Sequence, residues 1–438
     1  MTAVRRALHQ TFRALSVRNF RLYFIGQVVS VSGTWMQTIA LALLVLSDRL
    51  HGTGFDVGLV TALQFVPMLL VGSFGGLIAD RVDKRRLLLV TQSAAAALAM
   101  SLGLLVALGS PELWQVYVFA TLLGVVNLFD NPGRQSFVSE MVGKDLMPNA
   151  ISLNSVLMNS ARIIGPAIGG VLIFTVGFAA CFLVNAGSYM AVIVALLLMR
   201  PAELHRRPGV LRAKGQVREG LRYVWTTPTL RDPLLAMAVV GIFAFNFTTT
   251  LPLLAKYTFH GGAGTYSALT SAMGCGAVIG GLLVAHRSRP STALLSRIGI
   301  FFGIMILAVA AAPSEAVALA ALVFMGIGSI SFIATANATL QLRADPDMRG
   351  RVMALYAIAF LGSTPIGAPL MGWLSDTTSP RVALAVGGVA TLAASVPLAL
   401  RYAGLRRGSA RGEVVELAPH TAPGGQPTVG MAAGRGRL

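Results

Sequence analysis

Twelve long apolar runs, separated by short breaks rich in Gly, Pro and charge, constrain this 438-residue chain more than any other feature. They lie at roughly 20–46, 57–79, 87–109, 113–136, 149–174, 177–199, 234–256, 264–285, 294–312, 315–338, 350–374 and 380–402. A hydrocarbon core about 30 Å thick takes about 20 apolar residues per helix, so each run is able to span a bilayer. Only 12% of the residues are charged, against roughly 25% in soluble domains. The expected fold is therefore an all-α membrane protein with 12 transmembrane helices.

In a soluble chain, the formal net charge of +18 would suggest a nucleic-acid partner. The placement of the cations excludes it. Of the 35 Lys and Arg, only Arg49, Lys256 and Arg381 lie in or beside loops after odd-numbered runs, and Arg162 lies within a run. The others sit in the termini, in loops after even-numbered runs, or at the adjoining run edges. This positive-inside bias puts both termini in the cytoplasm, with the multi-pass chain in the cytoplasmic (inner) membrane and lipid as its surroundings. The first run follows Arg5, Arg6, Arg13, Arg18 and Arg21, as a signal peptide's core would. It is too long for that role, has no clear cleavage site, and precedes eleven more runs, so it counts as the first helix. Cys181 and Cys275 fall inside runs without disulfide or metal-ligand spacing, and packing is their expected role.

The expected organisation is a cytoplasmic segment 1–19, a six-helix half 20–199, a cytoplasmic linker 200–233, a second six-helix half 234–403 and a disordered cytoplasmic tail 404–438. Within the linker, VREGLRYVWTT (217–227) can form a short amphipathic helix with Leu221, Val224 and Trp225 on one side, suited to the inner membrane face. The two halves also read as repeats. SARIIGPAIGG (160–170) aligns with GSTPIGAPLMG (362–372), pairing Gly165 with Gly367 and Gly170 with Gly372. GLIADR (76–81) likewise aligns with GLLVAH (281–286). Two pseudo-symmetric halves in parallel orientation follow from such a repeat.

GGLIADRVDKRR (75–86) covers the cytoplasmic end of the second helix and the loop after it. Its small residues allow close helix approach, and its cations hold the loop inside. Gly76, Asp80, Arg81, Lys84 and Arg85 resemble the loop-two signature of the major facilitator superfamily, with Asp83 where that family has its second glycine. The resemblance implies that Asp80 latches the two halves on the inner side when the transporter is open outward. SVSGTWMQTIAL (30–41), FDNPGRQSFVSEMV (129–142) and PNAISLNSVLMNSARIIGPAIGG (148–170) resemble the drug and siderophore efflux branch, which includes enterobactin exporters and macrolide efflux proteins. Gly165, Pro166, Gly169 and Gly170 resemble the fifth-helix signature of exporters, although its earlier glycine is Ala161 here. Pro166 also removes a backbone donor and kinks the helix, so a purely structural kink stays open.

Arg162 lies in the middle of the fifth run. An unpaired cation there costs at least about 2.5 kcal/mol, so it should face a central cavity or a carboxylate. Asn154 and Asn159 are able to share its helix face. With Gln37, Trp35 and aromatics such as Phe65, Phe243 and Phe245, they form a candidate cavity for an amphiphilic, neutral or anionic cargo. For any single amide, a helix-to-helix bond is the competing role. Asp130 is the one acidic residue within a run, which makes it the candidate for proton coupling, with a structural ion pair as the alternative. Arg134, Glu140, Asp347, Arg349 and Arg351 occupy repeat-related places at the inner face, and the resemblance implies a charge network linking them with Asp80 and Arg81.

GxxxxGK[ST], HExxH, CxxC and GxSxG are all absent, so neither direct ATP drive nor an enzyme is expected, and no cofactor or metal. The expected function is secondary active export of small amphiphilic molecules by alternating access, coupled to proton antiport, in a monomer. A dedicated exporter of a siderophore or lipid-like substrate is the alternative. A non-transporting scaffold or sensor would need no two-state latch.

Overall fold

The computed structural model describes residues 12–109, 111–205, 216–286 and 290–410, with side chains except at 73–81, 144, 216–218, 285–286 and 403–410. Twelve helices among them are long and apolar enough to cross a membrane, and the described residues contain no strand. Spans 1 to 6 are Arg18–Val45, Gly54–Arg81, Lys84–Ala107, Leu113–Gly143, Asp145–Thr175 and Phe178–Leu198. Spans 7 to 12 are Pro228–Thr258, Ala263–His286, Thr292–Ala310, Glu315–Arg343, Arg349–Thr377 and Pro380–Ala410. The end of the bundle that carries Arg18 and the linker is called here the terminal face, and the opposite end the far face.

Several span starts have a local cause. Asp83 caps span 3 by accepting the Arg86 N–H at 3.0 Å, so the aspartate that replaces a family glycine closes the short turn. Ser291 and Ser314 cap spans 9 and 10 through the N–H groups of Leu294 and Val317. Glu112 and Gln115 form a capping box on span 4.

The three largest departures from the expected boundaries are in spans 4, 7 and 12. Span 4 runs to Gly143, so the loop expected over 137–148 shrinks to a single turn where Gly143 has a φ of 70°. The reason is burial: Phe137, Val138, Met141 and Val142 form an apolar stripe packed with Phe20 and Tyr23 of span 1. Span 7 begins at Pro228 and breaks at Ala244–Asn246, where Phe245 turns into an aromatic cluster with Phe247, Phe302 and Phe360. Phe245 is thus core rather than cavity lining. Span 12 continues helically to Ala410, past the expected end near 403, and residues 411–438 lie outside the described ones.

The glycines paired in sequence take equivalent places in the two halves. A Cβ at Gly165 would sit 2.5 Å from the Ser32 carbonyl oxygen of span 1, and one at Gly367 would sit 2.2 Å from the Ile242 oxygen of span 7. Five residues on, Gly170 faces Ser267 of span 8, while Gly372 faces the Gly54 backbone of span 2. Span 5 therefore packs on span 1 of its own half and span 8 of the other, and span 11 does the same on spans 7 and 2. These close approaches hold the halves together and need residues without side chains.

The far-face cations serve the fold. Arg49 donates to the Val106 oxygen at 3.3 Å, Arg381 to the Ala312 oxygen at 2.6 Å, and Lys256 to the Leu46 oxygen. Each meets the C-terminal carbonyls of a helix, where positive charge is favoured. On the terminal face, Arg85 does the same for span 6, donating to the Leu196 oxygen at 2.7 Å and to the Leu197 oxygen at 3.3 Å.

The linker helix, Gln216–Thr226, lies against the second half. Tyr223 donates to Asp345 at 2.9 Å, and Arg351 pairs with Glu219 at 2.7 Å. Burial pushes the Tyr223 phenol above its ordinary value, so it remains a donor at neutral pH. Val224, expected on the membrane side, is instead buried against the protein, because that face closes over the core. Leu221 and Trp225, one turn apart, stay exposed as expected of an interfacial face.

Candidate functional site

Span 5 places Arg162 about 25 Å from its Asp145 end and about 20 Å from its Thr175 end. The guanidinium lies over the Trp35 ring of span 1, 5.1 Å from its centroid. Gly165, one turn further, allows this stacking by bringing span 5 against the Trp35 Cβ. Across from it, Gly274 of span 8 faces the backbone of Arg162 and the side chain of Ile163, and Ser271 donates to the Ile163 oxygen at 3.3 Å. Arg162 thus stands where the two halves meet, at mid-depth. Its Nε is buried without a hydrogen-bond partner, and among the described residues no carboxylate comes within ion-pair distance of it.

The residues expected beside Arg162 divide. Trp35 is there. Asn154 is half-buried on the same span, and Asn159 donates to its own helix at the Ser155 oxygen, 2.8 Å away. Gln37, expected in the cavity, turns the other way: it is buried and accepts from Asn185 of span 6 at 2.7 Å. It ties spans 1 and 6 together, because two amides facing each other in an apolar interior satisfy one another.

Asp130 centres a second cluster, nearer the terminal face. It is 1% exposed, and its Oδ1 accepts from Thr91 at 2.7 Å and Gln92 at 2.8 Å, both on span 3. Its Oδ2 pairs with Arg134, one turn along span 4, and Arg134 donates in turn to Gln27 of span 1 at 2.6 Å. The buried Tyr23 ring packs edge-on against Phe137 beside them. Gln27, Thr91, Gln92 and Tyr23 escape a sequence reading that looks for charges alone. Their signal is the polar spacing Thr91–Gln92 within an otherwise apolar run.

The charge network implied at the terminal face is divided. Glu140 pairs with Lys84 at 3.4 Å, Arg134 pairs with Asp130, and Arg351 pairs with Glu219 of the linker, while no ion pair of Asp347 or Arg349 occurs among the described residues. Among the described residues no ion pair joins Arg134 or Glu140 to the second half, because Arg134 and Glu140 each have an opposite charge close by within their own half. The side chains of Gly76, Asp80 and Arg81 lie outside those described.

At the far face the halves are clasped. Asp376, near the end of span 11, accepts the N–H groups of Gly54 and Phe55 at the start of span 2, both at 2.7 Å. Gly58 and Gly372 let spans 2 and 11 touch there: a Cβ on Gly58 would sit 2.2 Å from the Ala368 oxygen.

Residues 9–416 match the family described as transmembrane secretion effector. The chain belongs to that family. Among its relatives, the multidrug efflux pump Tap of Mycolicibacterium fortuitum is 26% identical over 373 residues, 81% of this chain and 88% of that one. The enterobactin exporter EntS of Shigella flexneri is 26% identical over 396 residues, covering 89% and 92%. A bacterial homologue of the lysosomal transporter Spinster, solved in an inward-facing and unoccupied conformation, superposes with a TM-score of 0.67 at 15% identity, over 92% of this chain and 99% of that one. The efflux relatives agree with the resemblance carried by residues 30–41, 129–142 and 148–170, and the fold is that of the major facilitator transporters. The protein is a multi-pass membrane protein of a transporter family.

Proposed function

We propose that this protein is a secondary active exporter, moving small amphiphilic molecules out across the cytoplasmic membrane by alternating access in exchange for protons. One observation carries the reading: the halves engage unevenly. Among the described residues, hydrogen bonds between the halves lie at the far face and at mid-depth, from Asp376, Lys256 and Ser271. Among those residues, the ion pairs of the terminal face stay within a half or join the linker to the second half. This uneven engagement supports a far-closed arrangement in which the described terminal-face charges are paired within their own half or with the linker. Alternating access needs two mutually exclusive sets of contacts of this kind.

The positive-inside bias puts the terminal face, and both termini, in the cytoplasm. Asp80 belongs to the opposite set, latching the terminal face when the far face opens. Export as the direction is supported by the glycine and proline pattern of span 5 and by efflux relatives. Asp130 is the proton carrier in this scheme: a proton on its carboxylate would release Arg134, and loss of that proton would restore the pair. A dedicated exporter of one substrate is the second reading, favoured by the single mid-depth cation, Arg162.

The test is accumulation of dyes, macrolides and catecholate siderophores in cells lacking their own efflux pumps, with and without the protein, repeated with an uncoupler of the proton gradient. Lower accumulation that the uncoupler abolishes is expected. Lower accumulation that survives the uncoupler would remove the protons from the scheme, and no change for any compound would remove broad drug export.

A further inference from the structure

Resting on the export reading, we infer that the cargo is an organic anion, whose carboxylate or phenolate is held by the edge of Arg162 while its flat apolar body lies beside Trp35. The contact with Trp35 engages the guanidinium charge over the ring, 5.1 Å from its centroid, and does not use up the N–H groups around the guanidinium's edge as donors to an acceptor atom. The edge is therefore still free to donate. Within the protein it finds little: Nε is buried without a partner, and no carboxylate pairs with Arg162 among the described residues. A planar fork of donors fixed on an aromatic face, at the junction of spans 1, 5 and 8, matches a two-oxygen acceptor carried by an amphiphile.

The chemistry around the junction argues against a cation. The nearest intramembrane carboxylate in the sequence, Asp130, has its oxygens taken by Thr91, Gln92 and Arg134. A positively charged cargo at mid-depth would meet Arg162, with no carboxylate within ion-pair distance of that cation among the described residues. A neutral cargo with a carbonyl oxygen could accept from the guanidinium but would leave its charge uncancelled. An anion alone both satisfies the fork and cancels its charge in a low-dielectric setting.

The experiment measures binding and not transport, so that its failure is separable from failure of the export reading. The chain has four tryptophans, and Trp114, Trp225 and Trp373 are exposed, so replacing these three by Phe leaves Trp35 as the sole reporter. The purified full chain in lipid nanodiscs is titrated with 1-naphthaleneacetate, its neutral amide and the matching naphthylethylamine cation, reading Trp35 quenching. The anion is expected to bind at least tenfold more tightly than either analogue. Arg162→Gln should remove that preference, and Arg162→Lys, which keeps the charge but not the fork, should restore only part of it. Equal binding of all three probes, tighter binding of the cation, or binding of none of them overturns the inference. Because the comparison among probes is made on protein with Arg162 intact, it holds even if the Arg162 variants fail to fold. Anion-selective binding with no lowering of cargo accumulation in cells would leave the anion site at Arg162 standing and sink the export reading.

Discussion

The carboxylate of Asp376 accepts the backbone N–H groups of both Gly54 and Phe55, each at 2.7 Å, and so joins the end of span 11 to the beginning of span 2. The bond crosses from one half of the protein to the other at the far face. It places a negative charge at a helix N-terminus, where unpaired amides and the helix dipole both favour it.

Asp376→Asn keeps the shape and removes the charge. Loss of about 1 kcal/mol of clasping energy should shift the balance of far-closed to far-open molecules by roughly fivefold toward open. Labelling of a cysteine introduced at the far face should speed up by a similar factor in membranes. An unchanged labelling rate would show that the clasp does not govern closure.

Gly58 lies in the same contact, where a methyl group would meet the Ala368 carbonyl oxygen at 2.2 Å. Gly58→Ala should oppose closure by about 1–3 kcal/mol and cut export steeply while the protein still reaches the membrane. Gly187, with nothing within 4 Å of its added Cβ, is the control, and Gly187→Ala should leave transport as it is. Equal behaviour of the two variants would count against the packing account.

Asp130 and Arg134 form a buried pair, so removing one partner strands the other. Asp130→Asn or Arg134→Gln alone should cost on the order of 3–5 kcal/mol, whereas the double variant should recover much of the loss in a thermal melt. Proton coupling has a separate signature: Asp130→Asn should lose uphill export yet retain exchange of labelled for unlabelled cargo. Loss of both activities in equal measure in a folded variant would reduce Asp130 to a structural role.

Tyr223 ties the linker helix to Asp345 through a phenol whose ionisation is pushed upward by burial. A raised folded value means the bond's contribution is fully present below the ordinary tyrosine range and is lost as the pH climbs through the raised value. Linker cleavage by a protease should therefore be flat from pH 6 to 9 and rise only in stronger alkali. Tyr223→Phe should be cleaved faster across the whole range, and a variant cleaved like the parent protein would argue against docking by this bond.

The sequence by itself determined the number of spans, the sidedness of the cations and the glycine pairs of spans 5 and 11, because hydropathy, charge and the absence of a side chain are properties of individual residues. Boundaries were less legible where an apolar stripe continues through polar neighbours, as at 137–143 in span 4. The orientation of each helix was decided only by the tertiary structure. Spans that are apolar on every side have no amphipathic period to say which face turns inward. Sequence alone places Gln37 in a cavity, whereas the fold sets it against Asn185, 148 residues away, and it likewise brings Asp376 to Gly54 across 322 residues. Arg162 needed a special setting from its charge alone, but its place on the face of Trp35 came from the packing of span 5 on span 1, which Gly165 permits.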